Sequence, residues 1–151
     1  MQELNLPTYK FKLTINEEGK KLIFDEIRKK YVSLTPEEWV RQNFLKYLIT
    51  EKKYPKSLIN VEMQLYLNNT SRRSDIVVYS KHTKPKLIVE CKATNIKIDN
   101  SVFDQIKEYN INLQVDFLIV TNGLKHYCCK VDYQTNKCIF LKDIPSYEDL
   151  N

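Results

Sequence analysis

Asp75, in the run SDIVVYS, and Glu90 and Lys92, in the run KPKLIVECKA, are the residues of this chain whose types and spacing can do chemistry. The two runs read as neighbouring strands joined by the turn KHTKPK. A connection of four residues, Lys81 to Lys84, sets Ser80 opposite Pro85, Tyr79 opposite Lys86 and Asp75 opposite Glu90. Directly opposed residues have Cβ atoms only about 4.5–5.5 Å apart, and like charges so placed destabilise a sheet unless something positive lies between them. A hard divalent cation is the simplest remedy. Side chains alternate along a strand, so Lys92 shares the face of Glu90 while Cys91 points to the other. A lysine inside an apolar run is costly to bury unless carboxylates pair with it, and beside a metal it can hold an attacking water or neutralise charge developing on a phosphate. Together these are the residue types of metal-dependent phosphodiester hydrolysis.

The rest of the pattern supplies elements to position them. LTPEEWVRQNFLKYLITEKKYP carries a helix start, with Thr35 as N-cap, Pro36 at the first helical position, and Glu37 and Glu38 in the first turn. Val40, Phe44, Tyr47 and Leu48 form one apolar stripe, and the spacing predicts a helix from Pro36 to about Glu51. SLINVEMQLYL adds a strand before the two already described, making a meander. NIKIDNSVFDQIKEYNINL predicts a second helix from about Asn100 to Leu113, with Asp99 as N-cap and Val102, Ile106, Tyr109 and Leu113 at helical spacing. A buried strand, VDFLIVT, follows; Asn122-Gly123 marks a turn into LKHYCCKVDY and a last strand near KCIFL. The first 33 residues alternate briefly, turn at NEEGK and read as an arm or hairpin. The expected fold class is α/β, a central mixed β-sheet flanked by helices in the order αβββαβ, with an N-terminal arm or hairpin and a C-terminal β-hairpin. The crossover from the third core strand to the fourth is expected to be right-handed. One domain is expected over 1–151, divided into an arm 1–34, a core 35–141 and a tail 142–151.

A length of 151 residues with 42% hydrophobic and 28% charged content suits one domain with a real core. Gly19 and Gly123 are the only glycines, too few for a P-loop or a dinucleotide-binding turn, so no nucleotide cofactor is expected. No run reaches the length of a membrane span and the start MQELNLPTYKFK lacks the character of a secretory signal, so a cytoplasmic protein with no membrane partner is expected. Lys and Arg number 24 against 19 Asp and Glu, a net +5 that suits a polyanionic partner. Cys91, Cys128, Cys129 and Cys138 show no C-x-x-C spacing. Because adjacent strand residues point to opposite faces, a cluster of His126 with Cys128, Cys129 and Cys138 closes awkwardly, and reduced, buried thiols are the expectation.

Asp75, fourteen intervening residues and then Glu90-Cys91-Lys92, between apolar strands, resemble the PD-(D/E)XK nuclease superfamily, with Ser74 where the eponymous Pro often stands. The resemblance implies a restriction-endonuclease-like core in which Asp75 and Glu90 bind Mg²⁺, with Mn²⁺ able to substitute, and Lys92 assists the water. One or two metal ions are both compatible with two carboxylates. Gln105 and Tyr109 form a Q-x-x-x-Y spacing on one helix face. The resemblance to the exonuclease-like and restriction-subunit branches implies that they border the active site. It also implies an acidic residue from the opening helix; Glu37, on the stripe of Val40 and Phe44, is preferred and Glu38 kept as the alternative. More narrowly, IRKKYVSLTPEEWVRQNFLKYLI, YPKSLINVEMQLYLNNTSRRSDIVVYS, IVECKA, FDQIKEYN and VTNGL together resemble small stand-alone proteins grouped with the type I restriction enzyme R protein N-terminal domain, over nearly the whole chain. This implies an Mg²⁺-dependent deoxyribonuclease, with DNA and larger restriction or repair machinery as partners. The ATP-driven translocation of a full R subunit is not expected, because no motor segment follows.

Each feature also has a plainer reading. Gln105 and Tyr109 suit helix packing, and Glu62 suits the polar side of an alternating strand better than a supporting role at the site. His82 suits a solvated turn, His126 has no evident partner, and Trp39 suits packing of the arm. Basic runs at Arg28 to Lys30, Lys52 to Lys56, Arg72 to Arg73 and Lys81 to Lys86 could follow a DNA backbone or merely solubilise the surface. Arg72, Arg73, Lys81 and Lys84 are the candidate nucleic-acid contacts, and no base-reading helix is visible. The alternative to a nuclease is a catalytically silent nucleic-acid-binding or restriction/repair-complex accessory module of the same fold. A third reading makes Asp75, Glu90 and Lys92 a buried ionic network in an interaction protein.

Overall fold

The computed structural model describes residues 1–67 and 70–151, and the side chains of all of these except 63–67, 70–74 and 108–112. The N-terminal arm forms a three-stranded antiparallel sheet of β1 (Leu13–Ile15), β2 (Lys21–Asp25) and β3 (Lys30–Ser33) in that order. Asn16 builds the first turn, its Oδ1 accepting from the backbone N–H groups of Glu18 and Lys20, while Gly19 takes φ +81°. Asp25 builds the second in the same way, accepting from the N–H groups of Ile27 and Arg28. The arm therefore holds one strand more than the predicted hairpin, because the second turn depends on a side chain whose turn-forming role is hidden inside a charged run.

Helix α1 (Pro36–Thr50) begins where its cap requires, with Thr35 Oγ1 accepting from Glu38 N at 3.0 Å. The meander follows as β4 (Ile59–Leu67), β5 (Thr70–Tyr79) and β6 (Pro85–Cys91), then α2 (Asn100–Leu113), β7 (Phe117–Thr121), β8 (His126–Asp132) and β9 (Lys137–Leu141). Asp99 Oδ1 accepts from Ser101 N at 3.0 Å just ahead of α2. The six strands β4 to β9 form one sheet in chain order, antiparallel except for β6 against β7, which α2 connects. Two helices against a mixed sheet give the expected α/β class.

The β5–β6 register is Ile76↔Val89, Val77↔Ile88 and Val78↔Leu87, as the turn length predicts. At the turn it departs: Tyr79 pairs with Pro85, not Lys86, which leaves Lys86 as the extra residue of a bulge. Pro85 has no N–H to give the ladder, and the bulge restores the register beyond it.

Alternation along β6 divides the core. Leu87, Val89 and Cys91 join Val40, Phe44 and Leu48 of α1 in one apolar cluster, whereas Ile88 joins Val102, Phe103 and Ile106 of α2 in another. Cys128 and Cys129 fall into different clusters, so adjacent thiols do point to opposite faces. The segment set apart as a tail supplies Ile144, Tyr147 and Leu150 to the α1-side cluster, and Tyr147 N donates to Lys52 O at 2.9 Å. Among the described residues no helix is long and apolar enough to cross a membrane.

Candidate active site

The ladder between β5 and β6 ends at Ile76↔Val89, and its next step sets Asp75 beside Glu90. On the other side of β5, the pairs Val61↔Ile76 and Met63↔Ser74 bracket Glu62 and Asp75, where Glu62 takes φ +56° and the ladder breaks. Glu62, Asp75 and Glu90 thus stand in one row across three strands. The gap beside Asp75 is closed by its own side chain: Oδ2 accepts from the backbone N–H of Cys91 at 2.7 Å. Oδ1 accepts from Arg41 Nη2 at 2.6 Å, which brings α1 onto the row.

Glu90 is 5% exposed, with Lys92 Nζ 3.3 Å from its Oε1 and no hydrogen-bond partner for its Oε2. Burial and the adjacent Asp75 outweigh Lys92 and push the Glu90 carboxyl up to about 8. Burial works to lower Lys92, but Glu90, with Glu37 and Asp75 behind it, outweighs burial and raises it. The backbone of Lys92 is fixed to β7 through its N–H and Thr121 O at 2.8 Å. The two predicted carboxylates and the predicted lysine are therefore brought together.

Arg41 is the centre of what sequence reasoning missed. Besides Asp75, its guanidinium meets Glu38 at 2.8 Å, Glu37 at 3.2 Å and Glu62 at 3.6 Å. Arg28 meets Asp25 at 2.5 Å, Glu38 at 2.9 Å and Glu62 at 3.5 Å. Gln42 Nε2 donates to Asp25 Oδ2 at 2.9 Å and to Glu38 Oε2 at 3.1 Å. The signal available was the spacing of Glu37 and Glu38 to Arg41 and of Glu38 to Gln42, one helical turn apart beside the apolar stripe. Glu62 is a member of this network and not merely the polar side of a strand. Arg28 is half-buried and engaged by three carboxylates of this network, and it lines the open cleft that Glu37 and Arg41 also line.

Of the two helix carboxylates, Glu38 is the more deeply buried and is taken up by two arginines and Gln42. The Glu37 side chain is 46% exposed; its carboxyl is raised by burial and by Asp75, against Arg41 and Lys92. An open cleft of about 550 Å³ has Glu37, Arg41 and Glu62 on its wall and reaches Ala93, the residue after Lys92.

Gln105 is half-buried on α2, next to core residue Ile106. Arg72, Arg73 and Tyr109 lie outside the described side chains. Lys81 and Lys84 are exposed in the turn, at the end of the hairpin away from Asp75. Lys86 meets Asp116 at 2.8 Å. His126 has partners after all: Nε2 stands 2.9 Å from Asn5 O, which only accepts, so Nδ1 accepts from the Thr121 hydroxyl at 2.7 Å. Trp39 holds the arm, with Nε1 donating to Gln2 O at 2.9 Å and its ring edge-on to Phe11.

The donor chemistry suits a hard divalent cation. The buried side-chain atoms without a hydrogen-bond partner, among the described residues, are Glu90 Oε2 and Arg41 Nε, both at this site. No group of three or more His, Cys, Asp or Glu that could hold a metal ion gathers among the described residues, so an ion here would have only Asp75 and Glu90 as carboxylate ligands and would keep several waters.

The sequence profile described as "Type I restriction enzyme R protein N terminus" matches residues 36–145, most of the chain. The chain belongs to that family. The match begins at the first residue of α1 and takes in Glu37, Glu38, Arg41, Asp75, Glu90 and Lys92. No curated protein matches the chain. Among solved structures, a fragment described as belonging to an HsdR subunit of a type I restriction enzyme from Vibrio vulnificus is similar, with 21% identity and a TM-score of 0.56. The likeness is one of fold; it covers 78% of this chain and 24% of that one, so this chain spans about a quarter of that relative's length.

Proposed function

We propose that this chain is a restriction-endonuclease-like domain, 1–151 with its arm 1–34 included, that hydrolyses DNA phosphodiesters with a divalent metal ion. The observation that carries the reading is Glu90, a buried carboxylate beside Asp75 with one oxygen unpartnered, in a family named for restriction enzyme R subunits. Asp75 and Glu90 would hold Mg²⁺, or Mn²⁺ in its place, and the bound ion would supply Lewis-acid stabilisation of charge on the phosphate. Lys92 is held as an ammonium by the surrounding carboxylates, which suits donation to a water or a phosphate oxygen better than proton removal. Both helix carboxylates line the cleft, and Glu37, the more exposed, would orient water while Glu38 acts through Arg41 and Arg28. Gln105 and Tyr109 border the site from α2 in this reading. Arg72, Arg73, Lys81 and Lys84 contact DNA in it, the two lysines at a distance from the cut. Larger restriction or repair machinery is the partner in the cell.

One observation favours the catalytically silent alternative: both oxygens of Asp75 already have protein partners, Arg41 and the Cys91 N–H. Cleavage of single- and double-stranded DNA with Mg²⁺ or Mn²⁺, by wild type beside folded Asp75→Ala and Lys92→Ala, separates the two. Cleavage by the wild type, falling about 10²–10⁴-fold for Lys92→Ala, is expected. No cleavage by any of the three, with DNA binding intact in Asp75→Ala, would establish the silent module.

A further inference from the structure

Among the described residues, six carboxylates and three cationic groups form two ion-pair groups: Arg28 and Arg41 join Asp25, Glu37, Glu38, Glu62 and Asp75, while Lys92 pairs with Glu90, and the two groups adjoin where Asp75 stands beside Glu90. Among the described side chains the carboxylates outnumber the cations, and they are served unevenly in the two groups. On the arm side Arg28 and Gln42 satisfy Asp25 and share Glu38. On the sheet side Glu90 has Lys92 on one oxygen and no donor on the other, with the Asp75 carboxyl beside it. Between them, the Arg41 guanidinium touches four carboxylates from α1, β4 and β5, a density of anionic oxygen more usual around a metal ion than around an arginine. The Arg41 side chain is only 5% exposed and its position is set by two carboxylates on its own helix, so it is a fixture of the fold.

We propose that Arg41 is a built-in cation standing where a second divalent ion would otherwise be needed, so that the site takes a single metal ion, between Asp75 and Glu90. The inference rests on the metal-dependent reading above and assigns its stoichiometry. Arg41 is a positioning residue here: it fixes Asp75 Oδ1 and neutralises the Glu37, Glu38 and Glu62 side of the row, leaving Glu90 as the place where cationic charge is still lacking. One divalent ion supplies a cation at Glu90, and a second would have to displace the guanidinium from a geometry held by four partners. A fixed guanidinium also separates the four carboxylates, in keeping with the absence of a ready ligand triplet among the described residues.

The test counts Mn²⁺ ions, without reference to cleavage. Calorimetric and electron-paramagnetic titration of the full chain is expected to give one Mn²⁺ for the wild type and none at that site for Glu90→Gln. Arg41→Ala, which vacates the guanidinium, is expected to take two, and addition of a few millimolar guanidinium should return the count to one while Arg41→Lys stays at one. Two ions in the wild type, or one in Arg41→Ala with guanidinium without effect, would overturn the inference while leaving a metal site in place. No Mn²⁺ bound by the wild type would overturn the metal-dependent reading itself. Should Arg41→Ala fail to fold, a crystal of the wild type soaked in Mn²⁺ decides the matter. A single anomalous peak beside Glu90, with Arg41 still on Asp75, is expected; two peaks, or Arg41 swung away, would refute the assignment.

Discussion

Asp25 and Glu90 are both carboxylates sealed from solvent, 0% and 5% exposed, yet the fold treats them in opposite ways. Burial alone would raise both. At Asp25 the Arg28 backbone N–H, the Arg28 guanidinium and the Gln42 amide outweigh burial, and the carboxyl falls below its ordinary value. At Glu90 burial is reinforced by Asp75 and only partly opposed by Lys92, and the carboxyl rises to about 8. The first is a finished structural ion pair and the second an electrostatic demand that the chain leaves unmet. In the reading proposed above the difference marks where a cation would bind, since Asp25 is given the Arg28 backbone, the Arg28 guanidinium and Gln42 while Glu90 is given Lys92 alone.

The contrast breaks first at Arg28. Arg28→Ala strips the guanidinium from two buried carboxylates, Asp25 and Glu38, and a loss of about 3–5 kcal/mol is expected in denaturant unfolding. A change within experimental error would show that the arm side is not the satisfied region described.

A smaller and pH-dependent effect is expected at Glu90. In chelator, its raised folded value means that the folded chain binds the extra proton between the ordinary glutamate value of 4.5 and about 8. The stability this confers is fully present below the unfolded value and is lost as pH rises through about 8, with a slope of at most about 1.4 kcal/mol per pH unit. Asp25 has the opposite sign: its contribution is present above its ordinary value of 3.8 and is lost as pH falls through the depressed folded value. Glu90→Gln should therefore flatten the alkaline side of the stability profile and leave the acid side unchanged. A parallel profile in wild type and variant would contradict the assignment.

The legible parts of this fold were those with local causes. Both helices begin where Pro36 and Asp99 signal, because capping involves residues only a few positions apart. Asp75 could be set opposite Glu90 because a short turn fixes register, and the Lys86 bulge did not disturb the pairs beyond it. Hidden from the sequence were the contacts that close over long separations. Arg41 lies 34 positions from Asp75, and nothing in WVRQNF distinguishes an arginine aimed at the sheet from one in solvent. Arg28 looked like part of a basic surface run until Asp25 and Glu38 claimed it. His126 lacked a partner in sequence because its partners are Thr121 across a turn and a backbone carbonyl 121 positions away.

The most direct test is the carboxyl carbon-13 resonance of Glu90 followed through a pH titration, once in chelator and once in saturating Mg²⁺. A midpoint near 8 in chelator, carried well down into the acid range by Mg²⁺, is the result expected of a buried carboxylate kept for a divalent ion. A midpoint at the ordinary glutamate value, unmoved by Mg²⁺, would contradict it.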